Sequence, residues 1–408
     1  MNADEPEVDE DAAIAFVLAL GKALHRYGTP AHRLEEGLLV CCRQLGLADA
    51  EVFTTPTTII MSFGDPHELR TRMMRVEGGE LDMGKLADVD ALADQVGAKK
   101  IPIGEGLARL EAIGRAPARY GRVLTTFTHA ITVGAFAVFF GGSLVDVAVA
   151  AAIGLLLGVL AAFTKRSVDR ARVFELVGAM IAATTAGLAS SIWPQLSPSL
   201  VTIAALIILL PGLTLTVAMT ELTTRHIIAG TSRLVFAVIV LLELVVGVAL
   251  GSRLASVLVD VQHATPIPLP AWSPWLALVA SALGVAIVVQ AAPRAFGWIL
   301  GASLVGYVGA QLGDAWLGRD MGVLVGAFAV GVTSNAYARF WKRPAQVVQV
   351  PAVLMLVPGS MGFRGMSSLL GRDTLVGIET VFAMFIVALA IAGGLLVANA
   401  AFTPRRSL

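Results

Sequence analysis

In this 408-residue sequence Glu243 stands in the middle of an apolar run, "VLLELVVG", and Glu175 near the start of another. Placing a charge at the centre of a bilayer costs about 2.5–3.5 kcal/mol on insertion scales, so such residues call for a reason. Apolar surroundings favour the neutral carboxyl, which makes Glu243 and Glu175 candidates for exchanging protons near neutral pH. The competing role is one interhelical hydrogen bond that fixes packing.

A second chemical feature is the Pro-Gly pair in "ALIILLPGLTLTVAMTEL", Pro211–Gly212, in the middle of an apolar run. Both residues disfavour a helix interior. The pair recurs within an apolar run at Pro358–Gly359 in "VLMLVPGSMGFRGMSSLL". Unwinding there would expose carbonyls on one side and helix N-terminal N–H groups on the other, which attract ammonium and carboxylate groups respectively. Thr214, Thr216 and Thr220 follow the first break and Ser360 the second, with hydroxyls in reach of a small polar solute. Hydroxyls in membrane helices also commonly bond their own backbone. Glu221, Arg225 and Arg233 cluster at one end of two apolar runs, where interfacial anchoring is the plain alternative, favoured for Arg233. Asn335, Gln290 and Gln311 are further polar candidates, and His129 reads as a packing histidine.

Outside the apolar runs the chemistry is sparse. "GELDMGKL" (Gly79–Leu86) nearly matches a phosphate loop, but Leu86 replaces the Ser or Thr that would hold magnesium. His25, His32 and Cys41 form no recognisable nucleophile–base or metal-ligand set. No catalytic residue, metal site or cofactor is expected.

The elements that must position these groups are mostly membrane helices. The chain is 56% hydrophobic and only 15% charged, with a mean hydropathy of +0.77, a membrane composition. Ten spans of about 20 apolar residues are predicted. They lie near 123–141, 144–163, 173–192, 200–222, 233–251, 275–292, 296–313, 321–340, 347–363 and 376–400. With the N-terminus inside, inner segments carry 16 Lys and Arg and outer loops 4, which favours both termini in the cytoplasm. The acidic start "MNADEPEVDEDAAIAF" lacks the basic n-region of a signal peptide. The adjacent Cys41 and Cys42 make no disulfide framework. Zero net charge without a basic run argues against nucleic acid.

Pro266, Pro268, Pro270 and Pro274 mark a stiff linker (254–274) between five spans (121–253) and five more (275–408). The Pro-Gly pairs are 147 residues apart, and the same offset carries Val123 to Pro270, just before the sixth span. An odd number of spans per copy forces inversion, and inverted repeats with matched broken helices characterise secondary transporters. Residues 1–120 read as a cytoplasmic α/β domain with helices near 12–27, 31–46, 84–97 and 104–115. Strands are predicted near 50–55, 57–63 and 68–76.

Three blocks then carry a resemblance covering nearly the whole chain: "GTPAHRLEEGLLVCCRQLGL" with "VFTTPTTIIMSF", "LLPGLTLTVAMTELTTRHIIAGTSRL", and "VPAVLMLVPGSMGFRG". Together they resemble the threonine/serine exporter family. The resemblance implies a cytoplasmic N-terminal domain sometimes likened to a hydrolase, ten spans, and export of small hydroxy amino acids driven by proton motive force. Split relatives are linked to dicarboxylates such as succinate. The family pattern falls on Pro211, Gly212, Glu221, Gly230, Arg233, Pro358 and Gly359.

The combined expectation is a mainly α, polytopic plasma-membrane exporter with two inverted five-helix repeats. Its partners would be a small-molecule substrate, protons and the bilayer, with self-association left open. Pro211, Gly212, Thr214, Thr216, Glu221, Pro358, Gly359, Ser360 and Asn335 would contact substrate. Glu243 and Glu175 would carry protons, with Arg225, Gly230, Arg233 and Arg364 as supporting positions. The alternatives are a dicarboxylate exporter and a membrane-tethered hydrolase.

Overall fold

The computed structural model describes residues 10–403 apart from 48, 66, 80, 165–172, 263, 357–358 and 371–372. The expected position Pro358 therefore lies outside the described residues. The chain begins with α1 (Glu10–Arg26), which buries Phe16, Val17, Leu20 and Leu24 along one face. A turn through Gly28, at φ +94°, leads to Pro30, which caps α2 (Ala31–Gln44). Strands β1 (Glu51–Thr55), β2 (Thr58–Phe63) and β3 (Arg70–Arg75) form an antiparallel sheet in that order. Thr55 pairs with Thr58 across the Pro56–Thr57 turn. The period-two pattern of β2 turns Ile59, Met61 and Phe63 into the core. Helices α3 (Met83–Gly97) and α4 (Ile103–Arg115) complete this segment. Its helices come before and after the sheet, so strands and helices do not alternate as α/β implies.

The remainder is helical: α5 (Arg122–Phe139), α6 (Leu144–Thr164), α7 (Phe174–Ile192), α8 (Pro198–Leu206), α9 (Gly212–Thr223) and α10 (Ile227–Leu258), then α11 (Ser273–Val288), α12 (Phe296–Leu317), α13 (Arg319–Trp341), α14 (Gln346–Leu354), α15 (Gly359–Leu370) and α16 (Thr374–Ala401). Among the described residues, eight helical stretches are long and apolar enough to cross a membrane. Two of the ten expected spans differ. The run 200–222 is divided into α8 and α9, because Pro211 cannot continue the ladder and leaves Ile207–Leu210 as a turn. The run 275–292 yields α11, 16 residues long, ended before Gln290 at φ +58°. Helix α10, by contrast, has 32 residues and is about 48 Å long, so the non-helical linker begins at Val259 rather than 254.

Exposed apolar side chains at Val235, Ile239, Leu242, Val246 and Leu250 recur at helical spacing and give α10 a face suited to lipid. Its other face packs on α7 through small residues. A Cβ on Gly247 would meet the Leu176 carbonyl at 2.3 Å, and one on Gly251 the Met180 carbonyl at the same distance. Helices α13 and α16 make a similar contact, where a Cβ on Gly394 would meet the Leu324 carbonyl at 2.5 Å.

Two cores result. One joins residues of α5–α10 with Phe363 and Met384. The other runs without interruption from Phe16, Leu34 and Met83 of the N-terminal segment to Val289, Ala302, Val330 and Val387. Polar contacts follow the second core: Met83 N–H donates to the Val289 carbonyl, Tyr120 Oη to that of Ala291, and Arg343 to that of Ala87.

Candidate functional site

The two helix breaks meet. A Cβ on Gly359, which opens α15, would lie 3.0 Å from Leu210 Cβ and 3.4 Å from Gly212 Cα, which opens α9. Such an approach is open only to backbone without side chains. Beside it is a cavity of about 130 Å³ lined by both glycines, Leu213 and Leu354, and closed by His129 and Thr132 of α5. The Thr132 hydroxyl is buried and has no hydrogen-bond partner among the described residues. His129 Nδ1 lies 2.6 Å from the Thr125 carbonyl.

On the side facing the N-terminal segment, a second cavity of about 80 Å³ opens between α2, α9, α14 and α16. Thr216 and Thr220 line it together with His32, Gln349 and Asn399. Both threonine hydroxyls donate to backbone one turn earlier, at Gly212 (3.2 Å) and Thr216 (2.9 Å), so their oxygens keep lone pairs for a solute donor. Thr214 and Ser360 are half-buried and line none of the cavities described. Asn335 is buried near the ends of α13 and α16, donating to Asn399 Oδ1 at 2.9 Å and the Phe402 carbonyl at 2.8 Å. It is thus one contact removed from this cavity.

Glu221 is fully buried. Its two oxygens share the single N–H of Arg233 Nε, at 3.1 and 3.0 Å, and Oε1 also accepts from the Ala31 N–H at 2.9 Å. The last partner is the first residue of α2, so a carboxylate from the helix bundle caps a helix of the N-terminal segment. Alongside, His226 Nε2 lies 3.1 Å from Glu35, which also accepts from the Thr54 N–H and hydroxyl at 2.8 Å. Arg225 is the exposed left-handed residue of the α9–α10 turn, at φ +66°. Gly230 lets that hairpin close, since a Cβ there would meet Leu222 Cγ at 2.7 Å. Burial, then the Arg33 and His226 charges, push the His32 pKa down to about 3. Burial, then the Arg233 charge, lower that of His25. Both rings are therefore neutral bases in the fold.

Glu175 opens α7 and Glu243 lies on α10, the helix that packs against α7. Arg364 on α15 is exposed, with its guanidinium carbon 5.4 Å from the centre of the Phe140 ring. It borders a third cavity, of about 710 Å³, at the end of the bundle away from the N-terminal segment.

Several residues escaped sequence reasoning. Ala31, Glu35 and His226 join segments about 190 residues apart. Gln349 and Asn399 have no sequence signal beyond being polar in apolar runs. The phosphate-loop-like stretch also has a structural use. Asp82 caps α3 by accepting from the Lys85 N–H at 2.8 Å, and Lys85 Nζ donates to the Ala116 carbonyl at 2.6 Å. A Cβ on Gly84 would meet the Gln290 carbonyl at 2.8 Å, so this stretch seats the N-terminal segment on the end of α11. Burial pushes both Cys41 and Cys42 thiols up to about 12, unlike reactive thiols. Among the described residues no group of three or more His, Cys, Asp or Glu is placed to hold a metal ion.

A family model described as threonine/serine exporter matches residues 15–255, and a second, "Threonine/Serine exporter, ThrE", matches 275–401. The chain is 28% identical to pheromone-regulated membrane protein 10 of Pichia sorbitophila, over 87% of its own length and 37% of that protein. It is also 28% identical to the Saccharomyces cerevisiae protein of the same name (88% and 48%). A Schizosaccharomyces pombe protein described as uncharacterized is 26% identical (86% and 48%). The chain thus spans half or less of the length of these curated relatives. No solved structure is significantly similar. With the first match alone covering more than half of its length, the chain belongs to the threonine/serine exporter family.

Proposed function

We propose that the protein is a secondary transporter exporting threonine, serine or similar small amino acids, driven by the proton motive force. The observation that carries this reading is the meeting of the Gly212 and Gly359 breaks beside a cavity. Non-helical backbone at membrane depth is tolerated where it is covered by protein or lines a cavity. In this reading α8–α9 and α14–α15 each count as one broken crossing and α11 as a short one, which makes ten. The α7–α10 and α13–α16 contacts occupy equivalent places in two inverted halves, which supports a repeat. Residues 1–120 form the cytoplasmic domain, 121–258 and 273–408 the two repeats, and both termini face the cytoplasm of a plasma-membrane protein.

Solute would bind where the Pro211–Gly212 break meets Gly359, with Thr216 and Thr220 on its path; Pro358 remains a proposed contact from its place in the sequence. The Glu175–Glu243 pair is the candidate proton carrier. Glu221 and Arg233 serve better as a junction than as substrate ligands, because their bonding groups are engaged with each other and with Ala31. The test is counterflow of labelled threonine in reconstituted vesicles under an imposed pH gradient. Threonine flux that follows the gradient is expected. Succinate flux without threonine flux would move the assignment to dicarboxylate export. Hydrolysis of amino-acid amides without any flux would favour a membrane-tethered hydrolase.

A further inference from the structure

The largest cavity described, about 710 Å³, lies between α7, α8, α10, α15 and α16, at the end of the bundle away from the N-terminal segment. Its wall has an unusual chemistry for a helix bundle. Ser199 and Thr202 come from α8, Ser252 and Ser256 from α10, and Ser367 and Thr380 from α15 and α16. Among the described residues lining it, Arg364 is the only charged one. Among the described residues no carboxylate pairs with Arg364; its recorded neighbour is the Phe140 ring. That contact holds the guanidinium plane while leaving its edge donors available.

Three of these hydroxyls are polarised in one sense. Thr202 donates to the Pro198 carbonyl (2.7 Å), Ser256 to that of Ser252 (2.9 Å) and Thr380 to that of Val376 (2.7 Å). With their protons committed to backbone, these oxygens offer lone pairs to the cavity. Among the described residues the wall therefore presents one forked cation and several acceptors, and no carboxylate. A guanidinium fork matches a single carboxylate in two parallel bonds, and lone pairs match an ammonium or hydroxyl donor. A dicarboxylate would leave its second charge facing only hydroxyls. A phosphate with an ammonium, as in a phosphoethanolamine headgroup, shares the favoured pattern.

We propose that this cavity is a second binding site for the small zwitterionic amino acid, with Arg364 taking the carboxylate and the surrounding hydroxyl oxygens the ammonium and side-chain donors. The assignment rests on the export reading and adds a station at the far end of the path. It also makes Arg364 a determinant of selection for one carboxylate over two.

The test is equilibrium binding of labelled threonine to the full chain in detergent without added phospholipid. Arg364→Gln should lose one binding equivalent relative to the unaltered protein, and Arg364→Lys should retain it with weakened affinity. Threonine amide and succinate should fail to displace threonine from that equivalent, and glycerophosphoethanolamine should displace it less well than threonine does. An Arg364→Gln protein that binds as many equivalents as the unaltered one would overturn the proposal. So would equal displacement by threonine amide, which needs no variant, or stronger displacement by glycerophosphoethanolamine. Loss of the single equivalent bound, with no counterflow by the unaltered protein, would support this site while refuting the export reading.

Discussion

Removing the Glu221 carboxylate tests whether the N-terminal segment is tied to the helix bundle as described. Glu221 is fully buried, while the Arg233 side chain is 26% exposed. Deleting one member of a buried pair costs about 3–5 kcal/mol because a charge is stranded. Partial exposure of Arg233 lets water recover some of that, which places Glu221→Ala near the lower end, about 3 kcal/mol. The Ala31 N–H also loses its cap, worth about 1 kcal/mol. Hydrogen exchange resolves the two contributions, because the cap acts locally. A loss of about 1 kcal/mol corresponds to roughly fivefold faster exchange in the first turn of α2. Glu221→Gln keeps an acceptor for Ala31 and should restore most of that protection while still lowering thermal stability in detergent. Unchanged exchange at residues 31–36 in Glu221→Ala would refute the cap, and unchanged melting would refute the pair.

Acid should loosen the same region. His32 and His25 have lowered pKa values in the fold, so the unfolded chain takes up protons that the folded chain refuses. Their contribution is complete above about pH 6.5 and declines as pH falls below it. Denaturation between pH 7 and 5 should show that slope, with His32→Gln flattening it; an equal slope in both proteins would count against this account. Gly359→Val should abolish counterflow with little change in expression, since its Cβ alone reaches Leu210 at 3.0 Å; normal flux would mean that the breaks need not meet. Glu243→Gln should remove the pH dependence of transport while leaving exchange intact, and an unaltered pH profile would assign Glu243 to packing.

The hydropathy pattern located the helices well because burial in lipid and burial in protein both demand apolar residues. It could not see that α10 begins at Ile227, before Thr231 and Ser232, and runs on to Leu258, since helix length at a polar end is decided by tertiary contacts. The strands were legible from Ile59, Met61 and Phe63, whose alternation has one physical cause. Proline and glycine announced the breaks, but their meeting is a long-range event that no local pattern encodes. The same holds for Ala31 beside Glu221. Each residue is visible in the sequence, and its partner is not.

The division into two cores has a mechanical consequence. Residues of the N-terminal segment share continuous apolar packing with α11–α14 and α16, but they meet the α9–α10 hairpin through Glu221, Arg233, His226 and Glu35. Water can replace polar contacts of this kind, whereas exposing an apolar core costs about 25 cal/mol for every Å². If the two groups of helices rock against each other, the N-terminal segment travels as a passenger on the second group and swings away from the first. A covalent cross-link between positions 31 and 221 would then arrest transport, while one between positions 83 and 289 would leave it running.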